Sequence, residues 1–279
     1  MAPFSATGKI VCGHDPDRYL CDLFAKPKAR EGLFALHAFN HEVAKIRELV
    51  SEPMLGHIRL QWWREALDGI LAGTPRQHEV VLGLSWAFET FGLDRADFDK
   101  FLEARETDLD DAPFESMEAL INYARRTAGT ISRIGLSILG VENPATTQAA
   151  DDIAVATALT GLLRSMPYLA RSKRVMLPQD ILQAKGACLG DYHELRDRPQ
   201  IRAVVQAVAY AANEHLSAAR QRGGIRFKPA APVILPGRLS ALYLQRLEQA
   251  GWNAFDESIN APMLMKPWAL WGAALLRRF

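Results

Sequence analysis

The stretch LTGLLRSMPYLARSKRVMLPQDI, residues 159–181, begins in an apolar helical pattern and passes into a run of cations. The overlapping stretch DIAVATALTGLLRSM (Asp152–Met166) is rich in Ala and Leu, both good helix formers, and no proline interrupts it between Ala145 and Met166. From Ile153 to Gln179 the chain carries Arg164, Arg171, Lys173 and Arg174 and no carboxylate. Cations beside an apolar helix, instead of on a polar one, are a candidate anion site.

Working outward, long intervals free of proline bound the helices, because an interior proline removes a hydrogen bond and clashes with the preceding turn. Residues 28–52, 54–74, 76–112, 114–143 and 200–228 are such intervals. Apolar residues recur in them at helical spacing: Leu60, Trp63, Leu67 and Ile70; Ile131, Ile134 and Ile138; Val204, Val208 and Ala211. Asp94 and Ser116 are expected N-caps, and Gly73, Gly92, Gly140 and the Gly223–Gly224 pair are expected stops. The fold class expected is all-α, with about eight to ten helices in one domain over residues 1–279. Residues 1–14 are expected to be flexible, and FKPAAPVILPG (Phe227–Gly237) to be a proline-rich connection.

With 49% hydrophobic residues, 23% charged and a net charge of +1, the chain is neither disordered nor a nucleic-acid binder by its overall field. Its three cysteines, Cys12, Cys21 and Cys188, are unpaired in number and spacing, which implies a reducing compartment such as the cytoplasm. Uninterrupted apolar runs fall short of the roughly 18 residues that span a bilayer. The segment APMLMKPWALWGAALLRRF (Ala261–Phe279) patterns as an aromatic and basic amphipathic helix. It either closes the helical bundle or rests peripherally on a membrane, such as a bacterial inner membrane.

Near-zero net charge conceals local imbalance. EARETDLDDAPFESME (Glu103–Glu118) holds seven carboxylates and one cation, Arg105. Such a run is ordinarily a solvated face, and Glu103, Glu106 and Asp110 would share one side of a continuous helix, with Asp108 pointing elsewhere. The alternative is a metal site set apart from the basic anion site.

Four segments resemble the squalene and phytoene synthase family of head-to-head prenyl transferases: LHAFNHEVAKI (36–46), IRLQWWREALDGI (58–70), the run from Glu103 to Tyr123, and residues 159–181. The resemblance runs from about Arg18 to Phe227 and implies an isoprenoid synthase fold, a helical bundle around a central apolar cavity. In that family two DxxxD motifs hold Mg²⁺, which neutralises a departing diphosphate. Here the positions of the first pair fall on Ala44 and Glu48. Those of the second fall on Ser165 and Leu169, with Pro167 between them. Losing metal-type stabilisation costs several kcal/mol, about a thousandfold or more in rate. The pattern is similar to a narrower subgroup with eroded aspartates, the phytoene-synthase-like factors that serve respiratory complex I assembly.

What the resemblance implies is therefore a non-catalytic protein that binds an isoprenoid or other lipid-like ligand, or contacts respiratory complex subunits. The alternative is an active prenyl transferase using farnesyl or geranylgeranyl diphosphate with a rearranged site and Mg²⁺. No residue is assigned a catalytic role. Arg164, Arg171, Lys173 and Arg174 are the candidates for diphosphate or another anion, and Glu48 with Asp108 for a surviving metal site. Asn40, Glu42 and Tyr168 are polar candidates for the cavity wall, Asn40 and Glu42 because they interrupt an otherwise apolar segment. Trp62 and Trp63 are either core or cavity frame.

Overall fold

A computed structural model describes residues 5–279. The first helices are α1 (Ala6–His14), α2 (Pro16–Asp22), α3 (Pro27–Ala44), α4 (Pro53–Leu71), α5 (Glu79–Phe91), α6 (Arg95–Arg105), α7 (Met117–Ala124) and α8 (Thr130–Ile138). After them come α9 (Pro144–Arg171), α10 (Gln179–Ala184), α11 (Leu189–His193), α12 (Pro199–Gln221), α13 (Phe227–Ile234), α14 (Pro236–Gln249) and α15 (Lys266–Leu276). No strand occurs among the described residues. The fold is all-α, as expected, and the helices beyond ten are short ones such as α2, α10 and α11 that long apolar periodicity does not reveal.

The prolines that bound the intervals open helices. Pro27, Pro53, Pro199, Pro236 and Pro267 occupy first turns, where the missing N–H has no intrahelical partner to lose. The expected caps hold: Asp94 accepts from the Ala96 amide at 2.9 Å and Ser116 from the Ala119 amide at 3.2 Å. Gly73, Gly92, Gly140 and Gly224 all lie at φ between 62° and 77°, a region in which glycine carries no Cβ penalty.

The chain clusters into two compact units. One is built from residues up to Asp110 with Thr130–Thr147 and Gly224–Val233. Its core is centred on α3, which packs against α1, α5 and α8. There Phe39 meets Trp63 edge-on at 5.2 Å and lies 5.4 and 5.5 Å from Phe98 and Phe101, within the range of favourable aromatic pairs. Gly32 permits a close approach to α3: a Cβ there would stand 2.6 Å from Phe91 and 3.0 Å from Ile138.

The other unit comprises Asp111–Gly129, Gln148–Gly223 and Ile234–Phe279. Its core joins the apolar faces of α9 and α12, with Leu163, Met166, Val204 and Val208 all buried. Buried apolar residues thus form two clusters where chain length allowed one large core.

Four expectations are corrected. Of residues 1–14, expected to be flexible, residues 1–4 lie outside the described residues, while Ala6–His14 is α1, with Val11 buried. The stretch 227–237 is not a loop connection: Phe227–Ile234 is helical, with Ala230, Ala231 and Val233 buried, and Pro236 opens α14. Burial of that apolar face overrides the proline penalty. Helix α9 likewise continues through Pro167 to Arg171. Finally, α6 ends at Arg105 and tightens into a 3-10 turn, Glu106–Leu109, so Glu103, Glu106 and Asp110 do not ride one α-helical face.

By length and composition α9 is also the one helix, among the described residues, able to cross a bilayer. With 61% of its most apolar window buried inside the protein, it has the profile of a core helix.

Candidate functional site

The candidate residues fall into two sets, one in each unit. In the first unit, α3 carries Asn40 and Glu42. Asn40 Oδ1 accepts from Arg105 Nη2 at 3.2 Å, and Arg105 Nη1 donates to Asp108 Oδ2 at 3.0 Å. The Arg105 guanidinium lies 5.1 Å from the Phe101 ring centre, adding a cation–π contact. The 3-10 turn is what brings Asp108 inward, to 7% exposure. Glu106 pairs with Arg64 and Glu42 with Lys45. Of the two carboxylates expected to hold a metal, Asp108 therefore already faces a cation.

Glu48 is exposed on the 3-10 turn Ile46–Leu49, beyond the end of α3 at Ala44. A four-residue spacing places two side chains on one face only while the helix continues, and here it stops at the first position of the motif. Among the described residues, no three His, Cys, Asp or Glu side chains gather as a metal-holding group. Trp63 is core, at 4% exposure. Trp62 instead borders an open hollow of about 430 Å³ on α4, together with His57, Gln61 and Arg64, and carries Arg76 over its ring at 5.0 Å.

In the second unit, α9 presents Arg164. Its Nε donates to Asn260 Oδ1 at 3.0 Å, and Asn260 Nδ2 donates back to the Arg164 carbonyl at 2.9 Å. The guanidinium lies 3.5 Å from the ring centre of Tyr243 on α14, a close stacking geometry. Tyr168 is exposed, and Arg171 borders a hollow of about 350 Å³ that also touches Pro167, Asp256 and Asn260. Lys173, at φ 57°, and Arg174 close the end of α9: their amides donate to the carbonyls of Ala170 and Leu169 at 3.0 and 2.9 Å. The Arg174 carbonyl accepts from the Tyr192 hydroxyl at 3.0 Å, and burial pushes that phenol well above the ordinary tyrosine range.

The second eroded motif is explicit in this unit. Leu169 is 5% exposed within the core, and Ser165 turns its hydroxyl onto the Leu162 carbonyl at 2.9 Å. Asp180, just after the basic run, accepts from the Met117 amide at 3.4 Å and so helps hold the start of α7.

Sequence reasoning missed two clusters. Asp22 on α2 and His37 on α3 are buried together, Oδ1 and Nε2 being 3.4 Å apart. Asp152 on α9 accepts from Arg222 at 2.8 Å and meets His215 Nδ1 at 2.9 Å. The 63-residue separation hides the pairing of His215 with Asp152 from any local sequence pattern.

The chain matches the squalene/phytoene synthase family model over residues 11–266. It is 31% identical over 271 residues to NADH dehydrogenase (ubiquinone) complex I, assembly factor 6 of Bos taurus, covering 97% of this chain and 81% of that protein. The corresponding protein of Homo sapiens is 29% identical, covering 93% and 78%. The crystal structure of a squalene synthase from Alicyclobacillus acidocaldarius superposes with a TM-score of 0.76 at 19% identity, over 88% of this chain and 93% of that one. That likeness gives the isoprenoid synthase fold, and with the match over residues 11–266 the chain belongs to the squalene/phytoene synthase family.

Proposed function

We propose that this protein serves the assembly of a respiratory NADH dehydrogenase and does not condense prenyl diphosphates. The supporting observation is the occupancy of the family's four metal-binding positions: Ala44 at a helix end, Glu48 exposed beyond it, Ser165 bonded to its own helix and Leu169 in the core. One carboxylate of four cannot bridge metal ions to a diphosphate, and the lost charge stabilisation is worth about a thousandfold or more in rate. The Bos taurus and Homo sapiens relatives named as complex I assembly factors are matched over 97% and 93% of this chain. The partners in this reading are subunits of that complex, met on the cytoplasmic side of the inner membrane, and any isoprenoid or lipid-like ligand is bound without turnover.

Two measurements test it. Purified protein given farnesyl or geranylgeranyl diphosphate with Mg²⁺ is expected to yield no condensed product; robust product formation overturns the reading. Membranes from cells lacking the protein are expected to lose NADH-dependent quinone reduction and keep succinate-dependent reduction. An unchanged NADH rate would equally overturn it.

A further inference from the structure

Helix α15 has two apolar faces, and among the described residues only one of them is covered. Leu270 and Ala273 are buried, and α15 packs on α14. Trp268, Trp271 and Leu275, spaced i, i+3 and i+7, lie on the opposite side at 71%, 65% and 73% exposure, with Leu276 beside them. Leu264 and Met265, just ahead of the helix, are also exposed. Soluble proteins rarely leave so continuous an apolar patch to water.

The charge along this segment has one sign. From Ser258 to Phe279 there is no Asp or Glu, while Lys266, Arg277 and Arg278 are cationic. Arg277, at φ 52°, terminates α15, and it and Arg278 are exposed beside the apolar face.

We propose that α15 is a membrane-docking helix that lies flat on a bilayer bearing anionic headgroups. Each component matches one layer of such a surface. Leu264, Met265, Leu275 and Leu276 reach the acyl boundary, the indoles of Trp268 and Trp271 sit at headgroup level, and Arg277 and Arg278 meet lipid phosphates. A protein partner is a poorer fit, because the side chains radiate from a convex helix with cations adjoining, whereas the centre of a protein interface is depleted of charge. The proposal is independent of the assembly role.

The full chain is mixed with phosphatidylcholine vesicles with and without phosphatidylglycerol and centrifuged. It is expected to sediment with the phosphatidylglycerol vesicles only, with blue-shifted tryptophan emission, and to be released as salt screens the phosphates. The variant Trp268→Ser/Trp271→Ser is expected to lower partitioning about tenfold or more, and Arg277→Gln/Arg278→Gln to lower it about tenfold. Both should keep wild-type helicity and Tm, since the altered side chains are exposed. Wild-type protein that stays in the supernatant, or variants that sediment like wild type, overturn the proposal. So does a wild-type dimer that the tryptophan variant converts to monomer, because a second copy would then cover the patch.

Discussion

Oδ1 of Asp22 lies 3.4 Å from Nε2 of His37, with the two side chains only 1% and 6% exposed. The distance is that of an ion pair without a well-formed hydrogen bond. Among the described residues, neither Asp22 oxygen nor His37 Nδ1 has a hydrogen-bond partner. Burial raises the Asp22 carboxyl, and the opposing pull of His37 and then Arg18 does not cancel it. Burial likewise pushes the neighbouring Cys21 thiol well up, with Asp22 adding to the shift.

A raised folded-state value means that the folded protein holds the Asp22 proton more tightly than the unfolded chain does. Its stabilising contribution is full below the ordinary carboxylate range and is lost as pH rises through the raised value. Asp22→Asn is therefore expected to raise Tm at pH 7 by about 2–4 °C, with the gain shrinking toward pH 4. Thermal melts of both proteins across that range check it; a variant less stable than wild type at pH 7 contradicts it.

Gly32 sets the spacing of α3 against its neighbours. A methyl group there meets Phe91 at 2.6 Å and Ile138 at 3.0 Å, and α3 is the helix around which its unit packs. Overpacking of this kind costs about 1–3 kcal/mol, more than the helix propensity that alanine gains over glycine, about 1 kcal/mol. Gly32→Ala is expected to lower the urea midpoint with an unchanged m-value.

How far the sequence reveals this molecule depends on the range of the interaction. Helix starts at Asp94 and Ser116, and stops at Gly92 and Gly140, are local chemistry and are legible residue by residue. The helices over 227–234 and through Pro167 were not, because their stability comes from buried faces that only the folded chain supplies. The eroded aspartate positions were legible from the family resemblance, whereas the partners of the remaining charged groups were not. Arg164 finds Asn260 across 96 residues and Arg105 finds Asn40 across 65. Periodicity carries no information at such separations.

Asp108 separates a structural carboxylate from a metal ligand. Its side chain and that of Arg105 are 9% and 15% exposed, so removing one leaves the other poorly solvated. Asp108→Ala is expected to cost about 2–3 kcal/mol, the penalty of a partly buried polar group left unpaired, and Asp108→Asn, which retains an acceptor, about 1 kcal/mol. Millimolar Mg²⁺ is expected to leave the wild-type Tm unchanged. A Mg²⁺-dependent rise that disappears in Asp108→Asn would instead make this carboxylate a ligand, since ligands of the native state stabilise it by mass action.

Arg164 poses the corresponding question for the anion site. A guanidinium held ready for diphosphate would direct its donors outward to the anion. Arg164 instead stacks 3.5 Å from the centre of the Tyr243 ring and donates its Nε to Asn260 Oδ1, contacts of the planar guanidinium that an ammonium does not reproduce, whereas the bond from Asn260 Nδ2 to the Arg164 carbonyl is independent of the side chain. Arg164→Lys is therefore expected to destabilise by about 1 kcal/mol, the worth of one hydrogen bond. Together with Asn260→Ala it should show a coupling energy of about 0.5–1 kcal/mol in a double-mutant cycle, read from urea unfolding. Inorganic pyrophosphate added to wild type should shift Tm no more than it does in Arg164→Ala. A pyrophosphate effect abolished by that substitution would show that the arginine leaves its internal partners for the anion, and the family's recognition of diphosphate would then have outlived the loss of its aspartates.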